Sequence, residues 1–105
     1  MVLAEGMCEI LGSGFRTTRV RNGGKAIIWL ELTQEPESYR ITDENGNEVT
    51  DFDVLAIGED STDGVIYRYL KFTVNSDGAG TTTYPVTVDD GEKVYCTLNI
   101  WQEKR

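Results

Sequence analysis

Histidine is absent from this 105-residue chain. Its absence removes the usual general base at neutral pH and the commonest transition-metal ligand. A serine or cysteine nucleophile would need some other base to activate it. The two cysteines, Cys8 and Cys96, cannot make a typical zinc site without histidine. Proline is scarce as well, at positions 36 and 85 only, and the 11 glycines fall at turns instead of in low-complexity tracts. No apolar run approaches the roughly 20 residues that a membrane-spanning helix needs. Residues 1–11 have no basic start and are interrupted by Glu5, Gly6 and Glu9, so they do not read as a signal peptide. Synthesis in the cytoplasm is expected, for a protein that stays there, joins a virus particle, or is a piece of an exported one.

Basic residues are the minority. Ten lysines and arginines face 18 acidic residues, for a formal charge of −8. Coulomb repulsion then opposes both a polyphosphate and an anionic membrane surface. Arg16, Arg19 and Arg21 form the one local basic concentration, which reads as a solvated strand face pairing with nearby carboxylates. Gly12-Ser13-Gly14 lacks the spacing and the following helix of a phosphate-binding loop.

What the chain does have is period-2 alternation. Side chains of a strand point to opposite faces at successive residues, so alternating apolar and polar residues mark a half-buried strand. The clearest run is Lys93 to Gln102, with Val94, Cys96, Leu98 and Ile100 on one face and Tyr95, Thr97, Asn99 and Trp101 on the other. Earlier runs are Phe15 to Arg21, Lys25 to Thr33, Ser38 to Thr42, Val49 to Ile57, Val65 to Val74 and Thr81 to Asp89. Turn chemistry separates them: Asn22-Gly23-Gly24, Asn45-Gly46, Asn75 to Gly80 and Asp89-Asp90-Gly91. Within Val65 to Val74 the apolar residues change sides, which predicts a β-bulge near Arg68 to Leu70. Pro85 cannot donate to a ladder, which predicts that its strand lies at a sheet edge.

About seven short strands in one domain predict an all-β, antiparallel two-sheet sandwich. Its architecture resembles the immunoglobulin-like sandwiches; a small β-barrel is the alternative. The resemblance is one of architecture: Trp29 sits on an early strand, and neither cysteine stands where the antibody Cys-Trp-Cys pattern would need it. Residues 1–14 read as an N-terminal segment that packs on the sandwich. The expected core is Ile28, Leu30, Leu32, Ile41, Leu70, Phe72, Val74, Val86, Val88, Val94, Cys96, Leu98 and Ile100. Free thiols are expected for Cys8 and Cys96, Cys96 serving as a small core residue; the alternative is a Cys8–Cys96 disulfide that ties the N-terminal segment to the last strand.

Catalysis is not expected. Paired carboxylates remain as candidate acids and bases, but Asp43-Glu44, Glu59-Asp60, Asp89-Asp90 and Glu92 crowd into turns, where water keeps them ionised. Asp43, Asn45 and Asn47 offer oxygen ligands at alternating positions, as part of a calcium loop would; the plainer reading is a hairpin turn. Lys25, Lys71 and Asn99 lie on outward faces, which argues against a buried isopeptide bond. No cofactor is expected.

The anomaly is aromatic. With the core assigned as above, Trp29, Tyr67, Tyr69, Tyr95 and Trp101 point outward. Contiguous apolar surface marks a binding face. The leading expectation is a non-catalytic structural or protein-interaction module, such as a virion or phage component or a domain of a surface assembly, with self-association as one form of partnership. A carbohydrate-binding module stacking sugars on the same rings is the first alternative. An acidic inhibitor that mimics nucleic acid is the second.

Overall fold

The computed structural model describes residues 8–16, 19–56, 64–74, 80–89 and 91–101, with the backbone alone at 101. Among them lie nine strands: β1 (Ile10–Phe15), β2 (Arg19–Arg21), β3 (Lys25–Leu32), β4 (Tyr39–Thr42), β5 (Glu48–Val49), β6 (Phe52–Ala56), β7 (Ile66–Thr73), β8 (Gly80–Val88) and β9 (Lys93–Trp101). They form two sheets, a four-stranded one in the order β1-β3-β7-β6 and a five-stranded one in the order β2-β9-β8-β4-β5. All pairings are antiparallel except β2 with β9, which is parallel.

The sequence reading resolves seven strands, and two of them divide where the chain changes sheets. The predicted Phe15 to Arg21 run ends β1 in one sheet and supplies β2 in the other. Gly12 to Gly14, expected as a lead-in, are instead paired residues of β1 opposite Glu31, Leu30 and Trp29. The predicted Val49 to Ile57 run likewise divides into β5 and β6, with Thr50 and Asp51 carrying the chain across.

The bulge expected at Arg68 to Leu70 does not form. β7 pairs residue for residue with β3 from Ile66 to Thr73 and with β6 from Arg68 to Phe72. The alternation is intact, and Arg68 simply takes an inward position near the strand's start. Its guanidinium is tied there to Glu35 and to the Tyr67 carbonyl. The one register shift of these ladders lies in β1, between Ile10 and Gly12.

The edge position expected for the Pro85 strand is also corrected. β8 lies between β9 and β4, but its ladder with β4 runs only from Val88 to Val86 and stops beside Pro85. Beyond that point Glu44 Oε1 accepts the Thr83 N–H at 3.0 Å. Proline thus ends a local ladder without placing the whole strand at an edge.

Between the sheets lie Ile28, Leu30, Leu32, Ile41, Leu70, Val86, Val88 and Leu98, each with no measurable exposure. Every expected core residue is buried except Val94, which is half-buried against the cluster. Cys8, Phe15, Val20, Ala26 and Tyr84 complete it. Phe15, Phe72 and Tyr84 cluster with ring centroids 5.1–6.3 Å apart, Phe15 meeting Tyr84 edge to face and the other two pairs tilted, as the aromatic quadrupole prefers over a face-to-face sandwich. Both thiols are free and buried, and Cys8 Sγ donates to the Gln34 carbonyl at 3.2 Å.

Turn residues act as their chemistry dictates. Gly23 and Gly46 take positive φ, 89° and 83°, at the Asn-Gly turns. Asp89, at φ 52°, closes the β8–β9 hairpin while its carboxylate accepts the Glu37 and Ser38 N–H groups. Among the described residues no helix is long and apolar enough to cross a membrane.

Candidate interaction surface

Register decides which side chains share a face. On the outward side of the four-stranded sheet, Gly14, Trp29, Tyr69 and Leu55 stand in one row across β1, β3, β7 and β6. Gly12, Glu31 and Tyr67 form the row on one side, and Ile27, Lys71 and Asp53 the row on the other. With strands roughly 4.8 Å apart, Trp29, Tyr69 and Leu55 present a band about 10 Å wide.

Two glycines set the pose of Trp29. A Cβ on Gly12 would come within 3.2 Å of Trp29 Cζ3, and one on Gly14 within 3.0 Å of Nε1. The indole therefore lies over the β1 backbone and is half-buried. Between it and Glu31, Tyr67 and Tyr69 is a shallow groove of about 290 Å³. Arg16 completes the rim: its guanidinium lies 5.3 Å from the Tyr69 ring centroid and donates to the Tyr69 hydroxyl. A cation over a ring face is attracted by the ring quadrupole, so Arg16 holds Tyr69 in place. Leu55 is 41% exposed beside it.

The expected site residues therefore divide. Trp29, Tyr67 and Tyr69 share this face. Tyr95, 67% exposed, stands on the outward side of the other sheet, opposite Pro85. The backbone of Trp101 pairs with Arg21, and its side chain lies outside the described residues. The three arginines divide too: Arg16 follows β1, while Arg19 and Arg21 belong to β2 in the second sheet. Leu55 and Arg16 were not among the expected site residues. Leu55 lies in an alternating run whose division between two sheets hid the face it belongs to.

Beyond Tyr95 and Pro85, the outward side of β8 and β9 carries polar pairs. Thr81 pairs its hydroxyl with Asn99 Oδ1 at 3.0 Å, and Thr83 meets Thr97 at 3.2 Å. Asn99 thus stands in a different sheet from Lys25 and Lys71. In the β4–β5 hairpin Asp43 Oδ1 accepts the Asn45 and Asn47 N–H groups, both at 2.9 Å, so one carboxylate oxygen closes the turn. Among the described residues no three Asp, Glu or Cys side chains gather as a metal cluster would.

At one end of the sandwich, Arg68 Nε donates to Glu35 Oε1 at 2.8 Å and Tyr39 donates its hydroxyl to Glu35 Oε2 at 2.8 Å. Burial, then the hydrogen bond to the Glu35 carboxylate, push the Tyr39 phenol far up. Burial also raises the Cys8 and Cys96 thiols, against opposing hydrogen bonds with Gln34 and Ser13. A thiol held neutral is a poor nucleophile.

No family model matches the chain, and no curated protein does. Among solved structures, the I9–I11 tandem of titin matches with a TM-score of 0.50 at 13% identity, over 92% of this chain and 33% of that one. The N-terminal Ig1-2 module of the Drosophila receptor protein tyrosine phosphatase DLAR matches with 0.48 at 19% identity, over 91% of this chain and 48% of that one. CopC from Methylosinus trichosporium OB3b matches with 0.41 at 16% identity, over 94% and 98%. The chain thus spans a third of the titin tandem and about half of the DLAR module.

At such identities the likeness is one of fold. The chain is an immunoglobulin-like β-sandwich. The order β1-β3-β7-β6 corresponds to strands A-B-E-D of that fold, and β9-β8-β4 to G-F-C. Antibody domains join strands B and F by a disulfide; here both cysteines are free, and β3 and β8 contribute Ile28, Leu30 and Val86 to one buried apolar cluster.

Proposed function

We propose that this domain is a non-catalytic interaction module that binds a protein partner through the outward face of its four-stranded sheet. The observation that carries the reading is the row Trp29-Tyr69-Leu55. Three large apolar or aromatic side chains stand side by side on three strands, where a solvated sheet face would carry polar ones. Tyrosine, tryptophan and arginine are the residue types that anchor protein interfaces, and Trp29, Tyr67, Tyr69 and Arg16 supply all three. Anchors gain most when binding costs little ordering. The Gly12–Gly14 seat and the Arg16 contact already restrict Trp29 and Tyr69.

Site-directed photo-crosslinking tests the reading. A crosslinker at Leu55 is compared with one at Thr97 on the opposite sheet, in extracts of the source cells. A defined protein adduct from position 55, absent from 97 and abolished by Tyr67→Ala, is expected. Equal adducts from both faces, or none from 55, would reject the assignment. Light scattering over a concentration series identifies a second copy as the partner. A tryptophan fluorescence change with polysaccharide, in place of any adduct, favours the carbohydrate reading of the same face.

A further inference from the structure

Glu31 is the charged member of the groove walled by Trp29, Tyr67 and Tyr69, and its carboxylate pairs with none of the described residues. Register places it directly across from Tyr67 on β7 and across from Gly12 on β1. A Cβ on Gly12 would come within 3.4 Å of both the Glu31 carboxyl carbon and Trp29 Cη2, so carboxylate and indole edge meet above the same glycine. Arg16 and Lys71 flank Ile27 instead, two rows away, and Arg16 is engaged by Tyr69. Two rows are roughly 13 Å along a strand. A carboxylate beside the negative faces of aromatic rings, that far from the sheet's own cations, makes an environment that favours positive charge.

We propose that the partner bound at this face presents an arginine side chain, which this groove receives; the inference rests on the protein-binding role proposed above. The sheet already holds one guanidinium in this manner, since Arg16 lies over the Tyr69 ring while donating to an oxygen. Trp29, Tyr67 and Glu31 offer the same combination, a π face beside an oxygen acceptor. A planar guanidinium suits it better than an ammonium, because it stacks on a ring while its edge donates two N–H groups to one carboxylate. The groove's volume of about 290 Å³ falls just below the roughly 300–1,000 Å³ of small-molecule sites, which suits a side-chain end. Its shallowness selects a side chain carried by a protein. Cation–π attraction strengthens when water is excluded around it, and a partner seated across Trp29, Tyr69 and Leu55 excludes water where a free cation does not. The net charge of −8 draws a basic surface toward the domain.

In the test, a capped Gly-Gly-Arg-Gly-Gly peptide is titrated into the isotope-labelled full chain at constant ionic strength and followed by amide and indole NMR. Its lysine and glutamine analogues and methylguanidinium are titrated alongside. Saturable shifts at the Trp29 indole N–H, Glu31 and Tyr67 are expected from the arginine peptide, weaker binding from the lysine peptide and methylguanidinium, and none from the glutamine peptide. Glu31→Gln removes the charge and keeps the shape; Tyr67→Leu removes the ring and keeps apolar bulk. Each should weaken binding roughly two- to fivefold, the effect of one exposed ion pair or cation–π contact. Asp53→Asn removes a charge from the same outward face beside Lys71, and binding should be unchanged. Binding of any of the three other probes as tight as that of the arginine peptide, or affinity untouched by Glu31→Gln, would overturn the assignment. The crosslink from position 55 separates this contact from the interface itself. An adduct reduced by Glu31→Gln supports the arginine contact. One left unchanged by Glu31→Gln overturns it while the protein-binding role stands, and no adduct with Glu31 in place overturns both.

Discussion

Arg68 illustrates how one side chain can disturb a sequence pattern without disturbing the fold. It shares the inward row of β7 with Leu70 and Phe72, yet it is charged and its side chain is only 14% exposed. A guanidinium there must be paired, and Glu35, half exposed on the facing loop, pairs it while also accepting from Tyr39. The two partners are not equivalent. Glu35→Gln leaves hydrogen-bonding capacity at a solvent-screened site and should cost about 0–1 kcal/mol. Arg68→Ala also removes a packed aliphatic stem and strands the Tyr67 carbonyl, and should cost about 2 kcal/mol. Urea denaturation of both variants decides; equal losses would mean that the charge, not the stem, is what matters. The sequence could not show this pairing, because Glu35 and Arg68 are joined only by the folded topology. The bulge was called for by Val65, Tyr67 and Tyr69 sharing one face while Leu70, Phe72 and Val74 share the other.

The strands themselves were mostly legible, because burial on one face imposes period 2 wherever a strand stays in one sheet. β3 and β9 show this directly: Ala26, Ile28, Leu30 and Leu32 are all buried, as are Cys96, Leu98 and Ile100. The reading was incomplete where a strand leaves its sheet, as at residues 15–21 and 49–57, because alternation records distance along the chain and not which sheet receives it. β1 was hidden for another reason. Its two glycines look like turn residues, and their strand role appears only once Trp29 is seen lying over them. That packing makes a prediction about the element. In a Trp101→Phe background, so that Trp29 is the sole indole, Gly14→Ala places a methyl against the ring. The displaced indole should show a changed emission maximum and near-ultraviolet circular dichroism, with a loss of about 1–3 kcal/mol from overpacking. Gly23→Ala meets nothing within 4 Å but strains a positive φ, so it should cost stability without altering the indole signal. An unchanged spectrum for Gly14→Ala would mean that the seat beneath Trp29 is looser than the contacts indicate.

For the molecule as a whole, the same burial that makes the thiols inert gives stability a dependence on alkaline pH. Cys8, Cys96, Tyr39 and Tyr84 all have pKa values raised in the fold, with burial the largest cause in each. Each group is neutral when protonated, so the folded chain holds its proton to higher pH than the unfolded chain does. In the window between the two pKa values the native state therefore binds more protons, and stability falls as pH rises. The contribution is complete below the unfolded thiol value of 9.0, begins to be lost there through the cysteines, and is lost further from 10.0 as unfolded tyrosines ionise. Thermal unfolding measured from pH 7 to 10.5 at fixed salt should give a nearly level Tm up to about pH 8.5 and a steepening decline above 9. Replacing both cysteines by alanine lowers Tm throughout, through lost packing, but should flatten the pH 9–10 segment specifically. A decline of the same steepness in that double variant would assign the effect to growing repulsion in an already acidic molecule, which raised salt would then relieve.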